Sequence, residues 1–500
     1  MEVATVLVYL IIAIASAIVY LLRRNLNYWK NLDIPHEEPS ALMGNMNGYR
    51  TQRCMGEILA AYYRKFKGYG PFAGIFNGQR PGVVLLEKQL IKQVLIKDFN
   101  QFTDRGLYYN EKSDPLTGHL FFVDGDKWRS MRNKLSPTFT SGKMKNMYPT
   151  VLKVAVRFMD VLSQKVRENP ITDIRDMLGR FTIDVIGSVA FGIECNSLSN
   201  PEDKFLVLGR KSLETQRHNA LIMSFIDSFP RLSRMLGMRV TPQDVHEFFM
   251  KTIKETVDYR EKHKIQRSDF LNILMEFKNT VDDKSGLGGM DLEELAAQVF
   301  VFFLAGFETS SSTMAYALYE IAKNQQIQEC LREEINEMFE ASPDLTYDII
   351  MNMSYMDQVV SETLRKYPIL PFLNRQALTE YRVPGHPKFV IPKGTPIFIP
   401  IMGIQHDPEF YPQPEEFDPE RFSPDMVKQR DPIEFMPFGD GPRNCIGARF
   451  AKMQTRLGLA NILHRFRVSV CPQTPAFLTF QAKPVVLSPR QGIYLKLEPI

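Results

Sequence analysis

Phe438-Gly439-Asp440-Gly441-Pro442-Arg443-Asn444-Cys445-Ile446-Gly447 is the stretch on which the reading of this chain turns. Its glycines and proline exclude a regular helix and permit a tight loop in which backbone amides approach the sulfur. A helix begins near Gly447, so its positive end points back toward Cys445. Amide donors and a helix terminus both favour thiolate over thiol, and thiolate is the form that binds a metal. Arg443 can reach an anionic group beside the same loop. A lone loop cysteine would ordinarily be a small buried apolar residue. The pattern Phe-x-x-Gly-x-Arg-x-Cys-x-Gly, five fixed positions in ten, reverses that reading.

The loop resembles the haem-binding segment of the cytochrome P450 family, the haem-thiolate monooxygenases. The resemblance implies a mainly α fold with small β-sheets (α+β), and haem b between this loop and a long helix. It implies Cys445 as the axial thiolate on the iron, with Phe438 packed against the haem beside it. The long helix is readable directly: residues 293–324 (Glu293 to Asn324) hold the helical period without a proline. Within it lies Ala305-Gly306-Phe307-Glu308-Thr309-Ser310. Dioxygen cleavage needs protons at an otherwise apolar iron face, and an acid beside an alcohol on a helix can supply them. Gly306, without a side chain, would let a flat ligand lie against the helix, with Ala305 next to it. Alone, these residues read as a small-residue packing patch. Their match to the family's pattern makes Thr309 the oxygen-activating alcohol and Glu308 its partner in proton delivery.

Glu362-Thr363-Leu364-Arg365 sets acid and base on one helix face. It is similar to the family's Glu-x-x-Arg pair, which is joined by an arginine from a segment present here as Pro419-Glu420-Arg421-Phe422. The implied role of Glu362, Arg365 and Arg421 is a buried ionic cluster that holds the haem-side core. Trp128 and Arg132 share a helix face, and an indole N–H with a guanidinium can meet part of the charge on haem propionates. By resemblance, Arg443, Arg375 and Arg105 occupy further propionate-binding positions. Implied substrate contacts are Leu120, Phe121, Phe122, Phe303, Phe307, Leu370, Phe372 and Val486. They are apolar, so a lipophilic substrate is expected. Residues 137–144 and 305–313 are most similar to insect microsomal members that oxidise plant toxins, insecticides and hormones.

The remaining sequence bounds the partners. The 500 residues carry a net charge of +4, with 44% apolar and 24% charged residues, which is ordinary for a globular body and gives no reason to expect nucleic acid. The cysteines are five, far apart and without a CxxC pair, so neither a zinc ribbon nor a disulfide framework has support. No Gly-x-Gly-x-x-Gly fingerprint or Walker loop is present, so NADPH should act through another protein. The family's donor is an NADPH–cytochrome reductase, with a small b-type cytochrome as a further partner. Lys127, Arg129, Lys134, Lys143, Lys145 and Lys452 could form a basic patch that steers an acidic flavoprotein.

Residues 3–22 contain no charge. As a helix they would span roughly 30 Å, one hydrocarbon core. Arg23, Arg24 and Lys30 follow, which puts the body on the cytoplasmic side. No basic region precedes the run, so an uncleaved anchor in the endoplasmic reticulum is expected rather than a signal peptide. Tyr28 and Trp29 suit the headgroup boundary, and Pro35 and Pro39 read as a stiff connection. The expected organisation is an anchor over 1–24, a linker over 25–45 and a single haem-binding catalytic domain over 46–500. Two other readings share the same motif: a haem-thiolate isomerase or dehydratase, and a non-catalytic haem protein that binds ligands.

Overall fold

The computed structural model describes residues 2–41, 43–278, 289–341, 345–483 and 485–500. Its organising element is the helix Leu292–Lys323. Asp291 caps it by accepting from Glu294 N–H at 2.7 Å, and Glu293 and Glu294 sit at its positive end, with Lys323 at the other. The expected bounds lie one residue later at each end, within ordinary fraying. The helix is long and apolar enough to cross a membrane, but most of it is buried inside the protein.

Small residues let its neighbours close on it. A Cβ on Gly306 would meet Ile186 Cδ1 of the helix Ile174–Ile186 at 2.6 Å. A Cβ on Gly458 of the helix Ala448–Arg465 would meet Met314 Sδ at 2.4 Å. The larger of two apolar cores surrounds this helix bundle.

The second core packs on a four-stranded sheet. Phe72–Asn77 pairs antiparallel with Arg80–Leu85, which runs parallel to Pro396–Ile399; Leu373–Gln376 pairs antiparallel beyond it. The register sets Arg375 opposite Ile397. Two side contacts then bring residues 104–105 alongside: Asn374 Nδ2 donates to Arg105 O at 2.9 Å, and Gln376 N–H donates to Asp104 O at 2.8 Å. The sheet thus delivers two arginines to one place.

The helix Glu2–Leu26 stands off the body with its apolar side chains exposed and Arg23 and Arg24 in its last turn. The Trp29 side chain is taken up by the body rather than left exposed for lipid headgroups. It is 0% exposed, its Nε1 donates to Ile75 O at 3.3 Å, and a Cβ on Gly74 would collide with its ring at 2.4 Å. The strand glycine makes the slot that the indole fills. Ile34 is buried on the same core, and Gly74 N–H donates to Pro35 O at 2.7 Å. The stretch read as a linker is therefore packed onto the sheet over much of its length.

Candidate active site

The cysteine loop takes its shape from two glycines. Gly439 and Gly441 have φ of +69° and +73°, and a Cβ on Gly441 would lie 1.9 Å from Leu95 O. The turn is closed by Cys445 N–H donating to Phe438 O at 2.8 Å and by Asn444 N–H donating to Gly441 O at 3.1 Å. Gly447 then opens the helix Ala448–Arg465. Arg132 braces the loop from the helix Gly125–Leu135, donating to Asn444 O at 2.9 Å and to Asn444 Oδ1 at 2.7 Å.

Cys445 opens onto a cavity of about 240 Å³ deep in the protein. The loop lines it through Phe438, Cys445 and Ile446, and the central helix through Phe302, Ala305, Gly306 and Thr309. Burial pushes the Cys445 thiol above its ordinary pKa, against the Gly447 N–H, Arg132 and Arg105, which favour the anion. The sequence reading saw the local donors and missed the larger opposing effect.

Three arginines converge: Arg105 and Arg443 line the cavity, and Arg375, which does not, lies close behind them. Arg443 donates to Val123 O at 2.8 Å and meets Asp124 Oδ1 at 3.2 Å, with its guanidinium 4.4 Å from the Trp128 ring centre. Arg375 is 1% exposed and donates to Asn374 O at 2.8 Å. Arg105 lies 3.9 Å from the centre of the Phe121 ring. The Nε of all three, and Nη1 of Arg443, are buried without a hydrogen-bond partner. Burial, reinforced by the like charges of Arg375 and Arg443, holds Arg105 well below the usual arginine range. Burial and the charge of Arg443 take Arg375 down to about 9, and burial takes Arg443 down to about 10. Unpaired buried cations are costly. This cluster is chemically matched to a group that carries two carboxylates, and a flat apolar body fits the lining between it and Cys445. The residues present fit haem.

Thr309 lines the cavity, and its hydroxyl donates to Ala305 O at 2.6 Å. Glu308 does not line it. Its Oε1 accepts from Ser488 Oγ at 3.0 Å and from Ser312 Oγ at 3.4 Å, and lies 3.4 Å from Arg175 Nη2. Successive helix residues point about 100° apart, so acid and alcohol occupy adjacent faces. Gly306 lines the cavity, but the space its missing side chain leaves is taken by Ile186.

The other expected site residues divide. Trp128, Arg132, Arg105, Arg443, Phe438, Leu120, Phe121 and Leu370 line the cavity. Phe303 and Phe307 instead pack with Phe205, Phe249 and Gly209 in the bundle core. Phe372 packs toward Phe398 on the sheet, Phe122 against His119, and Val486 on the main core. Phe139, Phe270, Val301, Phe302 and Ile369 line the cavity and were missed. Glu362, Arg365 and Arg421 come together away from it: Arg365 grips Glu362 through two bonds, and Arg421 Nε lies 3.6 Å from Glu362 Oε1.

A family model described as Cytochrome P450 matches residues 34–497. The chain is 58% identical over 504 residues to Cytochrome P450 6A1 of Musca domestica, covering 100% of this chain and 99% of that protein. It is 50% identical to Cytochrome P450 6a9 of Drosophila melanogaster, covering 100% of each. It is also 50% identical to Cytochrome P450 6a2 of the same fly, covering 99% of this chain and 100% of that protein. The chain therefore belongs to the cytochrome P450 family, whose members are monooxygenases that carry haem on a cysteine thiolate.

Proposed function

We propose that this chain is a membrane-anchored monooxygenase that inserts one oxygen atom from dioxygen into lipophilic small molecules, xenobiotics foremost, on electrons relayed from NADPH by a partner reductase. One observation carries the reading: Cys445 and Thr309 face one apolar cavity whose edge holds cationic N–H groups with no protein partner. Haem bound there supplies dioxygen activation, with Cys445 as the iron's sulfur ligand.

The chain's own residues do the rest. Arg105, Arg375 and Arg443, with Arg132 and Trp128, hold the propionates, and this pairing relieves the arginines' mutual repulsion. The Gly447 N–H and Arg132 steady the sulfur's negative charge. Thr309 exchanges its bond to Ala305 O for one to a ligand in the cavity, holding a proton there. Glu308, on the adjacent helix face with Arg175, Ser312 and Ser488, supports proton delivery from behind Thr309 rather than by contact with it. The apolar lining excludes water and selects lipophilic substrates.

The exposed helix Glu2–Leu26, followed by the buried Trp29, tethers the body to the endoplasmic reticulum membrane on its cytosolic side. The reductase-facing patch is narrower than the sequence suggests. Lys127 sits between Glu111 and Glu294, Lys145 meets Asp348, and Lys452 meets Asp357. Arg129 and Lys143 remain exposed for an acidic partner, a reductase or a small b-type cytochrome.

The test uses microsomes containing the full chain and a reductase. Reduced, CO-bound protein should absorb where thiolate-bound haem does, and NADPH should drive oxidation of members of a lipophilic panel. Cys445→Ala should abolish both. Product formation that survives that change refutes the reading, and turnover without NADPH and reductase would favour an isomerase.

A further inference from the structure

Gln298 is 0% exposed on the central helix, one turn before Phe302. A buried primary amide has two donors and an acceptor to satisfy. Its Oε1 accepts from Leu120 N–H at 2.9 Å. Its Nε2 donates to Gly118 O and to Glu294 O, both at 3.2 Å. One side chain thus does for the backbone of residues 118–120 what a neighbouring strand would do. The next positions matter directly, because Leu120 and Phe121 line the cavity.

The same segment is tied elsewhere by different means. At its outer end Asp114, 0% exposed, accepts from Val240 N–H at 2.8 Å and Thr241 N–H at 2.9 Å. Tyr108 Oη donates to Met238 O at 2.7 Å. Lys127 bridges Glu111 and Glu294, but these side chains are 37%, 35% and 30% exposed, so solvent screens the link. At residues 118–120 the buried side-chain hold is Gln298; beyond it Arg443 holds Val123 O at 2.8 Å and Arg105 stacks on the Phe121 ring.

We propose that Gln298 is a positioning residue for substrate selection: it fixes how Leu120 and Phe121 project into the cavity, without itself lining the haem site. This rests on the monooxygenase reading above. Glutamine suits the place because it offers donor and acceptor together. Glutamate keeps the acceptor and loses the donors. Methionine keeps the length and loses both, leaving Gly118 O and Leu120 N–H buried without partners, so the segment shifts to satisfy them.

The test titrates haem-loaded, full-length protein in microsomes with imidazole and with the bulky 1-tritylimidazole, following the haem absorption band. In Gln298→Met the dissociation constant for the bulky azole should change by about fivefold or more, and that for imidazole should stay within about twofold. The reduced, CO-bound spectrum should be retained, and amide exchange over residues 118–122 should speed up. Gln298→Glu should move the same ratio in the same direction by less. An unchanged ratio in Gln298→Met, with the haem spectrum intact, overturns the proposal. Loss of the thiolate-haem spectrum in both variants also overturns it, because Gln298 would then be a fold residue. No azole-induced shift in the unmodified protein sinks the haem reading, and this proposal with it.

Discussion

Arg365 grips Glu362 through two parallel hydrogen bonds, Nε to Oε2 at 2.7 Å and Nη2 to Oε1 at 2.8 Å, with both side chains 0% exposed. The pair is fully bonded outward as well: Arg365 donates to Gln405 O and Glu416 O, both at 3.1 Å, and Asp418 N–H donates to Glu362 Oε1 at 3.0 Å. Removing one member of such a pair strands the other's charge. Arg365→Leu is expected to cost about 3–5 kcal/mol and to yield protein without bound haem. Thermal unfolding and the reduced, CO-bound spectrum check this. A haem-loaded Arg365→Leu with unchanged melting would remove the structural role.

Gly441 makes a narrower prediction. Its positive φ disfavours any side chain by roughly 1–2 kcal/mol, and a Cβ would lie 1.9 Å from Leu95 O, which is backbone and cannot yield cheaply. Gly441→Ala should therefore displace the loop and lose the thiolate-haem spectrum. Gly142→Ala, where a Cβ meets nothing within 4 Å, is the matched control and should leave the spectrum unchanged.

Arg375 gives a prediction with two signs. Burial and the charge of Arg443 bring it down from the usual arginine range to about 9 in the folded chain. A base with a depressed folded pKa binds fewer protons folded than unfolded, so stability rises with pH between those values. The penalty is full below about 9 and relieved above it. In the haem-free protein near pH 7, Arg375→Met should therefore raise stability by about 1 kcal/mol or more, and this gain should shrink toward about pH 10. In the haem-loaded protein the same change should speed transfer of haem to an acceptor apoprotein. Urea unfolding and haem-transfer rates read the two effects separately. A variant destabilised in both forms would contradict the role given to the arginine cluster.

The parts legible in the sequence are those written in local pattern. The central helix announces itself through its period and its lack of proline, to within one residue at each end. The cysteine loop does so through glycines whose spacing is the turn itself. What stayed hidden depends on residues far along the chain. Trp29 looks like an interfacial aromatic until Gly74, on a distant strand, opens a slot for it. Glu308 looks like a cavity acid until Arg175 and Ser488 arrive from other elements. The Cys445 thiol shows its favourable amides locally, whereas the burial that outweighs them exists only in the assembled fold.

One miss was avoidable, and it yields the last prediction. Phe302, Ala305, Gly306, Thr309 and Thr313 follow the helical period along one face, and all line the cavity. Phe303 and Phe307 belong to the neighbouring stripe, where Phe303 presses on Gly209: a Cβ there would lie 2.9 Å from its ring. Phe302 and Phe303 are adjacent phenylalanines on one helix, so composition cannot sort them, but the face can. Phe303→Ala empties a packed site and should cost about 3–5 kcal/mol, leaving product ratios unchanged in the surviving protein. Phe302, whose ring meets Phe139 and Phe270 at 5.2 and 5.5 Å, borders the cavity itself. Phe302→Ala should enlarge that cavity and alter the product ratio from a lipophilic probe with two oxidisable positions. Melting curves and product analysis of the two variants decide it. A changed ratio in Phe303→Ala, with none in Phe302→Ala, would move the substrate to the other face of the helix.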